Sequence, residues 1–231
     1  MKKHIPNAFT MMNLFSGCIA LTMAFSENFL GVVIWVLIAA VFDFFDGFAA
    51  RLLGVSSPLG KELDSLADVV SFGVAPASAV FVLLRNFSVY PLCLVDLSLY
   101  LPFTAYLIPV FSALRLGKFN LDEKQSSSFL GLPTPANALF WISYCYGVRN
   151  IAPANDALFY LTLGFIIVLS LLMVSNIPMF SFKIAALKFK GNEKQILLVV
   201  LMIAFIALWG IFGIAVGILA YIVISLIANM V

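Results

Sequence analysis

The chain has 231 residues, of which 63% are hydrophobic and only 10% charged, with a mean hydropathy of +1.11. Soluble domains carry about 25% charged residues, so this composition excludes one and indicates an integral membrane protein. A net charge of +2 without a basic tract argues against nucleic acid, and three isolated cysteines (Cys18, Cys93 and Cys145) fit neither a disulfide framework nor a zinc site.

Crossing a hydrocarbon core of roughly 30 Å takes about 20 apolar residues. Eight stretches read as spans: residues 9–26, 29–50, 66–84, 98–114, 134–149, 157–175, 195–209 and 211–231. The fold class expected is therefore an all-α integral membrane protein of about eight transmembrane helices. The last two spans form one apolar run, which Trp209, Gly210 and Gly213 divide. Lys2 and Lys3 before an apolar stretch look like a signal peptide, but Pro6, Asn7, Thr10 and Asn13 interrupt it, and it is read as a retained first span. With eight spans, all Lys and Arg except Arg85 and Arg149 fall on one side of the membrane. The positive-inside rule makes that side cytoplasmic, with both termini there. A multi-pass protein of the cytoplasmic membrane is expected.

Against this background four acids are packed into a short stretch that runs from the second span into the third. Asp43 and Asp46 stand three apart on the run from Phe29 to Leu53, and so share a helix face. Gly54 to Pro58 breaks that helix. Ser57 before Pro58 is a helix-start signal, a hydroxyl N-cap followed by a residue whose missing N–H would be unpaired anyway. The next helix carries Asp64 and Asp68 four apart, again on one face. A short turn joins the two helices, so they are expected to be antiparallel neighbours with their acidic faces together. Asp43 precedes Arg51 by roughly 12 Å at about 1.5 Å per residue, which sets the cluster just inside the cytoplasmic edge of the membrane. Gly47 beside Asp46 lets a ligand approach the backbone.

A carboxylate at membrane depth costs several kcal/mol unless it is paired, metal-bound or wet. Pairing with Arg51 and Lys61 would account for any two of these acids, but not readily for four in step with Gly47 and Arg51. Oxygen donors without His or Cys suit a hard cation, Mg2+, Mn2+ or Ca2+. Four carboxylates exceed what one magnesium takes from protein, so two ions are expected. Such ions serve phosphates. A divalent-cation transporter is the alternative from another class. It would require acids along a path through several spans, whereas these acids are confined to one edge.

The pattern D-x2-D-G-x2-A-R-x8-G-x3-D-x3-D, running from Asp43 to Asp68, resembles without departure the signature of the CDP-alcohol phosphotransferases. These membrane enzymes move a phosphatidyl or similar group from a CDP-linked donor to an alcohol. Ile5-Pro6-Asn7-Ala8-Phe9-Thr10-Met11-Met12-Asn13 resembles the family's opening segment I-P-N-x-x-T-x-x-N. Four further stretches are similar to the branch that uses serine, the CDP-diacylglycerol–serine phosphatidyltransferases: 63–76, Arg115 to Asn120, Phe129 to Pro135, and Val174 to Pro178. Two departures concern the acceptor: Gly117-Lys118 stands where the branch has Ala-Arg, and no arginine follows Asn176 closely.

The resemblance implies a six-helix catalytic core over residues 1–190, with two additional helices of the same domain in 191–231. It implies CDP-diacylglycerol and L-serine as substrates, membrane lipids as surroundings, a homodimer, and an active site on the cytoplasmic side. It further implies that Asp43, Asp46 and Asp64 hold the metal, while Asp68 assists at a second metal and takes the proton from the acceptor hydroxyl. Asn7, Thr10, Gly47, Arg51 and Ser57 match donor-binding positions, although Ser57 serves equally well as a helix cap. The carboxylate of serine needs a cation near the metals. Arg115 is the first candidate, Lys118 the second and Asn120 a polar contact, set against a reading of these cations as membrane anchors. Gly131 to Pro135 reads as a helix-start turn that would also suit the serine pocket. Glycerol 3-phosphate, inositol phosphate and choline are the other acceptors considered.

Overall fold

The computed structural model describes residues 4–55, 57–87, 99–121, 129–151, 156–179 and 193–228. The described chain is all-helical apart from one two-residue strand pair. Helices α1 (His4–Phe25) and α2 (Phe29–Leu53) form an antiparallel hairpin. Asn28 caps α2 by accepting from the Gly31 N–H at 2.8 Å, and Gly54 closes it in the left-handed conformation at φ 62°. Ser57 then caps α3 (Pro58–Asp68) through the Gly60 N–H at 3.0 Å, with Pro58 in the first turn. A six-residue π-helical segment, Val69–Val74, joins α3 to α4 (Ala75–Arg85) as one rod of 28 residues. A 3-10 turn, Leu101–Tyr106, leads into α5 (Leu107–Leu121). Helices α6 (Thr134–Ile151), α7 (Asp156–Val174), α8 (Glu193–Trp209) and α9 (Phe212–Ala228) follow.

Counted as rods, these make eight helices. Four are long and apolar enough to cross a membrane: His4–Phe25, Phe29–Leu53, Pro58–Arg85 and Ala157–Val174. Helices α8 and α9 are apolar but shorter. The break between them falls at Gly210, with φ 58°. The first helix begins at His4 rather than near residue 9, because Asn7, Thr10 and Asn13 do not interrupt it; Thr10 and Asn13 turn inward and are buried. The boundary expected between residues 190 and 191 lies outside the described residues, as do Lys2, Lys3, Lys124, Lys183, Lys188 and Lys190.

The α3–π–α4 rod is the axis of the bundle. Ala75 through Leu84 are all buried, and α1, α5 and α6 pack around the rod. Small residues permit this closeness. A Cβ on Gly17 of α1 would lie 2.8 Å from Ser71 Cα, and one on Gly73 would lie 3.1 Å from Pro109 Cα on α5. Outward-facing Phe44, Phe48, Ile203 and Leu208 are exposed; a soluble protein would bury more of them, whereas lipid accepts them.

The strand pair was not anticipated. β1 (Phe129–Leu130) runs antiparallel to β2 (Pro178–Met179), with Phe129 opposite Met179. Gly131 continues the tie, its N–H donating to Ile177 O at 2.8 Å, and the Leu132 N–H donates to Leu172 O at 3.1 Å. Gly131 sits at φ 70°, where a side chain would strike the Met173 carbonyl. The connection entering α6 is thereby fastened to the end of α7.

Candidate active site

Helical spacing sets the site. Asp43 on α2 and Asp64 and Asp68 on α3 converge, with one carboxylate oxygen from each lying within 4.8 Å of the others. Asp68 is buried and the other two half-buried. Asp64 Oδ1 is enclosed without a hydrogen-bond partner. Among the described residues, no ion pair joins these acids to Arg51 or Lys61; the ion pair present joins Glu27 to Arg149 at 3.2 Å, between the α1–α2 turn and the end of α6. Three carboxylates converging with no ion pair to a cation among the described residues, one oxygen buried and unpartnered, fit a hard divalent cation.

Asp46 stands apart from this trio. Its Oδ2 accepts from the Thr10 hydroxyl at 2.7 Å, and it faces a cavity of about 320 Å³. Asn7, Thr10, Gly47, Ser57 and Asp64 line the same cavity, so four of the five expected donor-binding residues meet there. The fifth, Arg51, lies beside it: a Cβ on Gly47 would stand 3.4 Å from Arg51 Nη1. Lys61, considered only as an ion-pair partner of the acids, also lines the cavity. Ser57 does both things considered for it, capping α3 and forming part of the wall.

A residue without an expected role binds the deepest acid. Asn13, fully buried on α1, donates from Nδ2 to Asp68 Oδ1 at 3.2 Å. The Asn13 backbone carbonyl accepts from Ser71 Oγ at 3.0 Å. Thr10 and Asn13 are three apart, so one face of α1 serves one acid of each neighbouring helix. That spacing was visible in the opening segment, but polar residues near the start of an apolar stretch read first as an interruption.

Arg115, half-buried on α5, donates from Nη1 to Thr134 Oγ1 at 3.3 Å, while its Nε is buried without a partner. With Lys118 it lines a second cavity of about 470 Å³, bounded opposite by Met173 to Asn176 at the end of α7. Asn120 is elsewhere. Its Nδ2 donates to Ser65 Oγ at 2.8 Å and its carbonyl accepts from Lys61 Nζ at 2.8 Å, so it ties α5 to α3. Of the three residues expected at the acceptor, two line this cavity and one does not. Ser175 and Asn176, given no role from sequence, line it as well.

A model of the CDP-alcohol phosphatidyltransferase family matches residues 3–227. The chain is 34% identical over 209 residues to a CDP-diacylglycerol–serine O-phosphatidyltransferase of Helicobacter pylori strain J99, covering 87% of this chain and 80% of the relative. It is 35% identical over 169 residues to the protein of that name in Methanocaldococcus jannaschii, covering 73% and 69%. To the Bacillus subtilis protein of the same name it is 32% identical over 160 residues, covering 68% and 85%.

Proposed function

The chain belongs to the CDP-alcohol phosphatidyltransferase family, and from that premise we propose that it transfers the phosphatidyl group of CDP-diacylglycerol to L-serine, giving phosphatidylserine and CMP. The observation that carries this reading is the convergence of Asp43, Asp64 and Asp68, with Asp64 also lining the cavity formed by the donor-binding positions; Arg115 and Lys118 line a second cavity.

The donor's nucleotide and pyrophosphate occupy the first cavity, where Gly47 leaves the α2 backbone open and Arg51 supplies a positive charge. Asp43, Asp64 and Asp68 would hold the divalent cation, with Asp46 completing the acidic set from the donor side. Mg2+ or Mn2+ held there would neutralise phosphate charge and favour departure of the nucleotide phosphate. Asp68 takes the proton of the serine hydroxyl. The serine oxygen forms a bond to the phosphorus that bears the diacylglycerol, the bond from that phosphorus to the bridging oxygen breaks, and CMP leaves with the electron pair. Asn13 donates to Oδ1 of Asp68 and so orients its carboxylate.

All eight helices are placed across or within the membrane, with the site at its cytoplasmic edge, as the charge asymmetry supports. A homodimer is the functional unit that membership of the family suggests. Because Arg115 and Lys118 share a wall, glycerol 3-phosphate is the second reading for the acceptor. Purified protein in detergent with CDP-diacylglycerol and labelled acceptors separates the two. Incorporation of serine with stoichiometric CMP is expected, and incorporation of glycerol 3-phosphate but not serine would overturn the assignment.

A further inference from the structure

The second cavity has two walls of different character. On one, Arg115 and Lys118 present cations from the last two turns of α5. The Arg115 Nε is a buried donor without a hydrogen-bond partner, so Thr134 satisfies this guanidinium only in part. The other wall is the end of α7, a helix of 19 residues. The last carbonyls of a helix lack intrahelical donors and carry the negative end of its dipole.

Some of those acceptors are already engaged. Leu172 O receives the Leu132 N–H and the Ser175 N–H, and Ser175 Oγ also donates to it at 2.9 Å. Ser175 Oγ in turn lies 3.4 Å from the Ile177 N–H. Ser175 is therefore occupied in finishing the helix. Asn176, exposed and lining the cavity, is the side chain on this wall able to offer an oxygen to a ligand. The tie between Gly131 N–H and Ile177 O, one residue further on, fixes the backbone beside it.

A doubly charged phosphate ester would call for donors on every side. An amino acid needs donors for its carboxylate and acceptors for its ammonium, a few ångströms apart. We infer that the cavity between α5 and α7 is a subsite for a zwitterion. Arg115 and Lys118 take the carboxylate, while Asn176 and the carbonyl end of α7 take the ammonium. This rests on the serine reading above and adds to it the group that selects an amino acid over an anionic alcohol. Asn176 is on this account a specificity-determining residue, without part in the proton transfer.

The test uses full-length protein in detergent, CDP-diacylglycerol, L-serine as acceptor, and glycerate as a competitor that keeps the carboxylate and lacks the ammonium. An added cation in Asn176→Lys repels the ammonium, and a hydrogen bond to a charged group is worth about tenfold in affinity. The serine KM should rise on the order of tenfold in that variant, glycerate should inhibit more strongly than in the unaltered protein, and the KM for CDP-diacylglycerol should stay put. Asn176→Asp should leave the serine KM unchanged or lower and should weaken inhibition by glycerate. The unchanged donor KM shows that each variant is folded. If serine and glycerate move in the same direction in both variants, or if neither moves, the subsite is refuted while the serine assignment stands. If the unaltered protein incorporates glycerol 3-phosphate and not serine, the assignment itself fails and the subsite with it.

Discussion

Replacing Asp64 with Asn should make the metal-free protein more stable while destroying its activity. One oxygen from each of Asp43, Asp64 and Asp68 lies within 4.8 Å of the others, and at that separation two ionised groups repel by about 3 kcal/mol for an effective dielectric near 20. Asp64→Asn removes two of the three pairs and leaves an amide that a buried site accepts more readily than a charge. After relaxation, a net gain of about 1–3 kcal/mol is reasonable for a single substitution. For a chain of this size that corresponds to roughly 2–4 °C per kcal/mol in melting temperature. The assay is thermal unfolding in detergent at pH 8, with EDTA and then with Mg2+. In EDTA, Asp64→Asn should melt several degrees above the unaltered protein. Magnesium at a hundred times its dissociation constant should stabilise the unaltered protein by about 2.7 kcal/mol and the variant by much less. Equal melting temperatures in EDTA together with equal shifts on adding Mg2+ would refute the idea that these acids form a cation site.

Asp68→Asn should lower kcat by at least about a hundredfold, the smaller end of what a general base contributes, while CDP-diacylglycerol binding measured by equilibrium filtration persists. Thr10→Val removes the 2.7 Å bond to Asp46, and a hydrogen bond to a charged group is worth about 1.5–3 kcal/mol; the KM for CDP-diacylglycerol should rise about tenfold or more, with the serine KM little changed. Gly131→Ala places a side chain at φ 70° against the Met173 carbonyl and should cost about 1–3 kcal/mol, read as a lower melting temperature, whereas Gly164→Ala, at an open site on α7, should not.

Local signals made much of this molecule readable from its residues. Ser57-Pro58 starts a helix and Gly210 separates the last two, because capping and backbone strain act within a few residues of their cause. The acids were legible for the same reason, since spacings of three and four residues fix a helix face. What escaped depended on distant partners. Asn13 acquires its role from Asp68, 55 residues away. Asn120, flanked by Lys118 and Arg115, looked like part of a basic acceptor patch, yet the α3 face claims it through Ser65 and Lys61. Asp46 belongs by spacing with Asp43, but Thr10 draws it toward the donor cavity. The pairing of β1 with β2 has no sequence periodicity to betray it, being two residues on each side.

The π segment between Asp68 and Ala75 touches backbone on two sides, at Gly17 against Ser71 and at Gly73 against Pro109. Most helix contacts in a membrane bundle run through side chains that can change rotamer as lipids press or thin around them. Here main chain abuts main chain, which leaves almost nothing to compress. Asp68 is mounted on a stop rather than on a spring. The position at which it meets its partners is consequently set by backbone contacts within the bundle rather than by adjustable side chains.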